Sequence, residues 1–243
     1  MQTVVLLLLA MVIPFPLCYF RMKQYGISLP KMLLIYIIVS TVGFVGARFG
    51  PIAVGIEKAG IRLYGLVLLD FIAIFPLSKI LKIDKMEFGD FIAPPIMAVC
   101  ASSKINCLIN DCCRGMVICY NGSVPVYFPS VIVEMMIWFI LVALLILVER
   151  KKQITGSLWP ILMIWFGVVR FLVDFLRGSE WEKKPYFLTL SGGQFWSLVT
   201  LVFGVFFLVY AFHKHWKRYP TITEFLKTVF GVRLAKCEDV QNR

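Results

Sequence analysis

Long apolar runs separated by short polar segments dominate the sequence. Seven runs approach the roughly 20 residues that a helix needs to cross the hydrocarbon core of a bilayer. They cover residues 3–20, 32–49, 63–81, 91–109, 128–148, 157–176 and 194–212. Prolines within the runs, such as Pro94 and Pro95, are expected to bend transmembrane helices rather than exclude them. The pattern predicts an all-α, polytopic membrane protein with seven transmembrane helices.

Lysine and arginine are concentrated in alternate connections between the runs. This set contains Arg21, Lys23 and Lys31, then Lys79, Lys82 and Lys85, then Arg150, Lys151 and Lys152, and a tail with Lys214, Lys217 and Arg218. Because cytoplasmic loops carry an excess of positive residues, the N-terminus is predicted outside and the C-terminus in the cytoplasm. Residues 3–20 lack a preceding basic segment, so we expect a membrane span there rather than a cleaved signal peptide.

The predicted domain organisation is a single membrane domain followed by a tail. The membrane domain covers residues 1–212, and the basic cytoplasmic tail covers residues 213–243. In the tail, Ile222, Phe225, Leu226 and Phe230 recur at helical spacing. This spacing predicts a short amphipathic helix on the inner leaflet.

Composition agrees with a membrane protein and excludes an ordinary soluble domain. The chain has 243 residues, of which 60% are hydrophobic and 16% charged, and its mean hydropathy is +0.83. The net charge of +11 comes from short basic clusters between apolar runs, so we attribute it to topology and expect no nucleic-acid partner. Cys112 and Cys113 lack a nearby histidine and a CxxC spacing, so we expect neither a metal site nor a cofactor, and the pair is either free or cross-linked.

Residues 166–178, FGVVRFLVDFLRG, carry charges in a segment otherwise suited to lipid. Arg170, Asp174 and Arg177 are spaced by four and then three residues, which predicts that they share one helix face. Ionisable residues inside a span indicate a functional site by default. A structural Arg–Asp pair is one interpretation. The other is an anion site, because one carboxylate does not neutralise two guanidinium groups.

Charges in other spans point to the same half of the bundle. They are Arg48, Asp70, Lys104 and Glu134. Because such residues are costly in contact with lipid, they are predicted to line, with Arg170, a cavity that opens laterally between the second and sixth spans. Arg48 has the alternative of extending to the interface. Asp70 requires a cationic partner or a proton.

Several motifs, taken in order, resemble those of the prolipoprotein diacylglyceryl transferase family. They are GARFG at residues 46–50, LYG at 63–65, SSKINCLINDCCRG at 102–115, FPSVIVE at 128–134, RFLVDFLRG at 170–178 and LSGGQFWSL at 190–198. The last two are similar to the family patterns RF-x-x-E-x-x-R and S-x-G-Q-x-x-S, with Asp174 in place of glutamate. The resemblance extends over most of the chain.

The resemblance implies a bacterial enzyme of the cytoplasmic (inner) membrane. Such enzymes move the diacylglyceryl group of phosphatidylglycerol onto the thiol of a lipobox cysteine in a prolipoprotein and release glycerol phosphate. Catalytic roles are implied for Arg170, Lys104 and Tyr64, with Tyr64 at the position associated with thiol deprotonation. Substrate-binding roles are implied for Arg48, Glu134, Asp174, Arg177, Gln194 and Gly115. The expected partners are phosphatidylglycerol, the prolipoprotein and membrane lipids, and a monomer is expected.

The chain also departs from the family pattern. Lys104 stands where the second essential arginine is expected, and a lysine lacks the planar fork that suits phosphate. Ser103 replaces a glycine, and the external elements are reduced to loops 111–127 and 177–190. Alternative hypotheses are therefore a paralogue with another acceptor and a non-catalytic lipid-binding or accessory protein. A transporter is less favoured, because no pair of interrupted helices recurs in two halves.

Overall fold

The computed structural model describes residues 12–53, 63–111, 113–121, 123–151, 155–178, 185–214 and residue 223. The helices in these ranges are α1 (Pro14–Met22), α2 (Leu29–Ala53), α3 (Leu63–Leu81), α4 (Lys85–Ile109), α5 (Ser130–Lys151), α6 (Leu158–Phe175) and α7 (Gly192–Lys214). A short 3-10 helix, Lys23–Tyr25, follows α1. The predicted helical character is confirmed. The amphipathic tail helix predicted from residues 222–230 lies outside the described residues, apart from Thr223.

Two small antiparallel hairpins interrupt the helical pattern. Strands β1 (Val117–Asn121) and β2 (Val124–Tyr127) form one hairpin, and β3 (Pro185–Phe187) and β4 (Leu190–Ser191) form the other. They lie in loops 111–127 and 177–190, with β4 extending to Ser191, and are an addition to the predicted all-α fold. The strand β1 carries no sequence signal of this kind, because all its residues are exposed and it lacks the apolar alternation that marks a half-buried strand.

Five described helices have the length and apolar character required to cross a membrane. These segments are Leu29–Phe49, Lys85–Ile109, Ser130–Arg150, Leu158–Phe175 and Gly192–Lys214. They coincide with five of the seven predicted spans, while α3 and α1 lie on the third span and on the described part of the first. The full count of seven and the orientation of the termini stay predictions.

The distribution of apolar side chains suits a lipid environment. Phe20, Ile37, Leu172 and Val202, which lie on four different helices, are largely exposed on the outside of the bundle. Charged side chains from several helices are buried inside it: Arg21, Asp70, Asp90, Lys104, Glu134, Glu149, Arg170, Asp174 and Arg177. Charged residues are rarely fully buried unless they are paired, and most of these form ion pairs.

Helix α4 is the central element of the bundle. It packs against α1, α3, α5 and α6. The side chain of Asp84 accepts hydrogen bonds from the backbone N–H groups of Met86 and Glu87, so α4 begins earlier than the predicted span at residue 91. Pro94 and Pro95 lie inside α4, as predicted for prolines in transmembrane helices. Lys104, near the other end of α4, is therefore enclosed by neighbouring helices.

Candidate functional site

Glu134 of α5 is the centre of a buried ionic cluster. Its side chain is 1% exposed. Lys104 Nζ from α4 and Arg177 Nη2 each lie 2.8 Å from Glu134 Oε2, and Arg170 Nη1 from α6 lies 3.5 Å from Oε1. The indole N–H of Trp138, one turn along α5, donates to the same Oε1 at 3.4 Å. With Asp174, these ionisable residues form what we call the Glu134 cluster: Lys104, Glu134, Arg170, Asp174 and Arg177.

The Glu134 cluster has more cations than carboxylates. Among the described residues, its three cationic side chains pair with two carboxylates, those of Glu134 and Asp174, so the cluster itself has one formal positive charge in excess. Buried charges are unfavourable unless they are paired and hydrogen-bonded. Its electrostatics therefore favour binding of an anionic group.

Arg170 is held near both carboxylates without a close hydrogen bond to either. Its Nη2 is 3.7 Å from Asp174 Oδ1, and its Nη1 is 3.5 Å from Glu134 Oε1. Both distances exceed the 2.7–3.2 Å usual for N–H···O hydrogen bonds. Within the described part of the chain, this buried Nη1 has no hydrogen-bond acceptor. The guanidinium thus keeps donor capacity for a ligand.

Asp174 is shared between Arg170 and the start of α7. The hydroxyl group of Ser191 donates to Asp174 Oδ2. The predicted Arg170–Asp174 pair is present, but Glu134 lies slightly closer to Arg170. Asp174 therefore ties Arg170 to the neighbouring helix.

Ser191 and Gln194 form a capping box at the beginning of α7. The N–H of Gln194 donates to Ser191 Oγ at 3.1 Å, and the N–H of Ser191 donates to Gln194 Oε1 at 3.0 Å. This reciprocal arrangement satisfies backbone donors at a helix N-terminus. The S-x-G-Q motif thus has a local structural role, and substrate binding by Gln194 stays a prediction.

Arg177 reaches Glu134 from beyond the end of α6. Helix α6 ends at Phe175, and Arg177 pairs with Gly115 in an isolated antiparallel bridge. The prediction that Arg170, Asp174 and Arg177 share one helix face is therefore wrong for Arg177. The chain leaves the helix before this residue.

Gly115 permits the close backbone packing around this bridge. A Cβ atom at Gly115 would overlap the carbonyl oxygen of Phe128. The N–H of Gly178 donates to the carbonyl oxygen of Arg114 at 3.1 Å and extends the contact. Gly115 thus positions the segment that carries Arg177, and its predicted contact with substrate stays a prediction.

Arg48 and Asp70 do not join the Glu134 cluster among the described residues. Arg48 is exposed, with its guanidinium carbon 5.9 Å from the centre of the Phe49 ring. Asp70 is buried beside a separate small cavity of about 30 Å³, which Tyr36 and Ser40 also line. The prediction that all five charged residues line one cavity is therefore wrong for Arg48 and Asp70. Substrate binding by Arg48 stays a prediction.

The backbone of Tyr64 lies near the crossing of α2 and α3. Gly46 and Gly65 meet there so closely that a Cβ atom on Gly65 would overlap the carbonyl oxygen of Gly46. Small residues allow this approach between membrane helices. The glycines of the GAR and YG motifs thus contact each other, while the side chain of Tyr64 lies outside the described structure.

A cavity of about 380 Å³ adjoins the first turn of α5. Its lining includes Cys107, Asp111, Arg114, Gly115 and Ser130. The hydrogen bond from Arg114 lowers the pKa of the exposed Asp111 carboxyl group. The cavity touches Gly115 and the helix of Glu134, so it lies next to the segments that hold the Glu134 cluster.

A second buried ionic group, at the other end of α4, was missed by the sequence analysis. Arg21 was assigned to a cytoplasmic loop, but it is 7% exposed and forms an ion pair with Glu149. Tyr25 also donates a hydrogen bond to Glu149. The side chain of Asp90 accepts hydrogen bonds from backbone N–H groups at the start of α6. We call these residues the Arg21 cluster: Arg21, Tyr25, Asp90 and Glu149.

Comparison with known proteins identifies the family. The family model described as prolipoprotein diacylglyceryl transferase matches residues 4–210. Similar proteins named phosphatidylglycerol–prolipoprotein diacylglyceryl transferase include one from Clostridium tetani (strain Massachusetts / E88), 25% identical over 159 residues, and one from Cupriavidus metallidurans (strain ATCC 43123 / DSM 2839 / NBRC 102507 / CH34), 29% identical over 166 residues. These alignments cover 60% and 65% of this chain.

The extent of similarity differs between relatives. The chain spans 62% of the length of each of these two proteins. A third relative of the same name, from Clostridium novyi (strain NT), is 20% identical over 232 residues, which cover 84% of this chain and 89% of the relative. The match to the family model includes the segments that carry the Glu134 cluster.

Proposed function

The chain belongs to the prolipoprotein diacylglyceryl transferase family, and from that premise we propose that it transfers a diacylglyceryl group from phosphatidylglycerol to the thiol of a lipobox cysteine. The excess positive charge around Glu134 is the observation that carries this proposal. A phosphodiester headgroup supplies the anion that such a site requires. The names of the relatives support the same donor and acceptor.

In the proposed reaction, the acceptor sulfur attacks the carbon of the diacylglyceryl group that is bonded to the phosphate oxygen. The new C–S bond replaces the C–O bond, whose electron pair leaves with the glycerol phosphate. Arg170 stabilises the developing charge with its Nη1, which has no hydrogen-bond acceptor in the described structure. Lys104 and Arg177 add positive charge beside Glu134 Oε2.

The thiol proton also requires a route. We assign this role to Tyr64, whose hydroxyl oxygen accepts the proton while its own hydroxyl proton passes to the leaving phosphate. Asp174 orients Arg170. Gly115, Gln194 and Arg48 complete the proposed substrate-binding set.

The proposed setting is the bacterial cytoplasmic membrane. The chain is a multi-pass membrane protein by its apolar helices and its family. The finer proposal is a monomer with seven spans in residues 1–212, an external N-terminus and a cytoplasmic tail at residues 213–243. Cysteine labelling from either side of the membrane at residues placed in successive loops tests this orientation.

One observation favours a second candidate function, namely binding of an anionic lipid without transfer. Lys104 already makes a 2.8 Å ion pair with Glu134, so its charge is partly neutralised before substrate arrives. A lysine also offers no two-pronged contact to phosphate. A lipid-binding or accessory protein needs the anion site but no reacting thiol.

Reconstitution with defined substrates distinguishes the two functions. The purified full chain is incubated with phosphatidylglycerol and a lipobox peptide, and the peptide is analysed by mass spectrometry for a thioether-linked diacylglyceryl group. A peptide with serine in place of the acceptor cysteine is the matched control. A product only with the cysteine peptide supports transfer. Saturable lipid binding without product supports the second function. A correctly folded protein that gives neither product nor saturable lipid binding contradicts both functions.

A further inference from the structure

The end of α4 and the turn that follows it bring two cysteine side chains together. Cys107 lies three residues after Lys104, and Cys113 lies two residues before Gly115. Their sulfur atoms are 3.9 Å apart, and both side chains are partly buried. The two sulfur atoms must approach further to reach the bonding distance of about 2.05 Å.

The backbone holds Cys113 in this place. Its φ angle of 60° lies in the left-handed region, which a non-glycine residue adopts when surrounding contacts require it. The hydroxyl group of Ser130 donates to the carbonyl oxygen of Cys113 at 2.9 Å. Cys113 is therefore anchored to the first turn of α5.

The cavity of about 380 Å³ beside α5 gives solutes access to Cys107 of this pair. Cys107 lines it together with Asp111 and Arg114, whose side chains are exposed. The predicted topology puts this end of α4 outside the cytoplasm, where disulfides persist. An external oxidant can thus reach the Cys107 thiol.

We propose that Cys107 and Cys113 form a disulfide bond that links the end of α4 to the turn preceding the Gly115–Arg177 bridge. Each thiol gives up one proton and one electron as the S–S bond forms. A disulfide oxidant, either a small molecule or a thiol–disulfide oxidoreductase, takes up both electrons and both protons and becomes two thiols. The bond would brace the two segments from which Lys104 and Arg177 reach Glu134.

Two other cysteines offer competing pairings. Cys112 is adjacent to Cys113 in the sequence, and its placement lies outside the described structure. Cys119 is exposed on β1. A test of the proposal must therefore separate Cys113 from its neighbour.

Digestion with two proteases distinguishes a bond to Cys107 from a bond between Cys112 and Cys113, and serine variants then separate Cys113 from Cys112. Full-length protein in membranes is treated with oxidised glutathione, blocked with N-ethylmaleimide and digested without reduction. Trypsin cleaves after Lys104 and Arg114, and endoproteinase Asp-N cleaves before Asp111, which yields the peptides 105–110, INCLIN, and 111–114, DCCR. The proposed bond joins these peptides and leaves one maleimide in the second. A bond between Cys112 and Cys113 leaves the peptides separate, and that result overturns the proposal.

Serine variants assign the linked species. Cys107→Ser and Cys113→Ser should abolish it, whereas Cys112→Ser should retain it. Cys119→Ser is the matched control and should also retain it. A linked species that survives Cys113→Ser, or oxidised wild-type protein that contains none, overturns the proposal. Because the assay detects a covalent bond and needs no lipid or acceptor peptide, its outcome is independent of the transferase proposal.

Discussion

The Glu134 cluster and the Arg21 cluster are both buried, but they differ in how their arginines are hydrogen-bonded. Arg21 donates to both carboxylate oxygens of Glu149 and to the carbonyl oxygens of Phe91, at 2.5 Å, and Asp90, at 3.0 Å. Arg170 instead stands 3.5 and 3.7 Å from its nearest carboxylate oxygens. A guanidinium group with its donors occupied has little capacity for a ligand, whereas Arg170 retains that capacity.

The charge balance differs in the same direction. The Glu134 cluster has three cations and two carboxylates, while the Arg21 cluster has one guanidinium and two carboxylates. The second carboxylate, Asp90, accepts hydrogen bonds from the N–H groups of Gly156 and Leu158 at 2.6 and 2.8 Å. At this position the N-terminal dipole of α6 favours negative charge. We infer that burial of an arginine alone does not indicate function here. Unsatisfied hydrogen-bond donors and surplus positive charge are the features that indicate a functional site.

The largest effect is expected from Arg21→Met, which should destabilise the fold. Removal of the guanidinium leaves Glu149 as a buried unpaired charge, a change that costs about 3–5 kcal/mol. Transfer per folded molecule should remain unchanged. Thermal unfolding in detergent measures stability, and Lys23→Met, at an exposed position on the next turn, is the control. Unchanged stability would remove the structural half of the comparison.

Arg170→Lys should produce the opposite phenotype, with normal folding and a large loss of transfer. Lysine retains the charge but not the fork, and loss of a preorganised donor at a developing anion lowers turnover by about 10²–10³-fold. Diacylglyceryl transfer is measured at matched amounts of folded protein. Arg150→Lys, at an exposed residue of α5, is the matched control. Full transfer by Arg170→Lys would reduce Arg170 to a structural ion-pair partner.

Lys104 tests whether the surplus charge matters. Lys104→Ala removes it and should lower transfer by about 10-fold to 100-fold, since a hydrogen bond to a charged group contributes about 1.5–3 kcal/mol. Lys104→Arg should retain or raise transfer, because it restores a planar donor for phosphate. Initial rates at several phosphatidylglycerol concentrations separate binding from turnover. Equal rates for the three proteins would place phosphate recognition elsewhere.

Asp174→Asn should have the smallest effect, a severalfold loss of transfer. An asparagine still accepts the hydrogen bond of Ser191 but no longer attracts Arg170 by charge. Asp174→Glu restores the pattern of the family and should retain activity. The same initial-rate assay compares both variants with wild type. A loss from Asp174→Asn as large as that from Arg170→Lys would contradict the view that Glu134 shares the orientation of Arg170.

The sequence was most informative where the relevant spacing is local. Arg170 and Asp174 are four residues apart, so their placement on one face of α6 follows from helical geometry. The central position of Glu134 depends on how α4, α5 and α6 pack, and spacing within one helix does not contain that information. The S-x-x-Q spacing of Ser191 and Gln194 was a signal for the capping box that the sequence analysis assigned only to substrate binding.

Arg21 shows why charge patterns near helix ends are ambiguous. Basic residues that follow an apolar run are typical of cytoplasmic loops, and Lys23 is indeed exposed. Two residues earlier, Arg21 turns into the bundle because Glu149 and the carbonyl groups of α4 provide acceptors there. Those partners lie about 70 and 128 residues away in the sequence, so only the tertiary structure distinguishes the two basic residues.

The two carbonyl groups bound by Arg21 have a further consequence for how this chain tolerates sequence change. Proline lacks the N–H that would bond to the carbonyl four residues earlier, so Pro94 and Pro95 deprive the carbonyls of Asp90 and Phe91 of their helical donors. Arg21 supplies replacement donors from another helix. The proline pair and the arginine therefore form one epistatic unit, in which replacing the prolines by alanines changes the cost of losing Arg21, and neither change can be assessed alone.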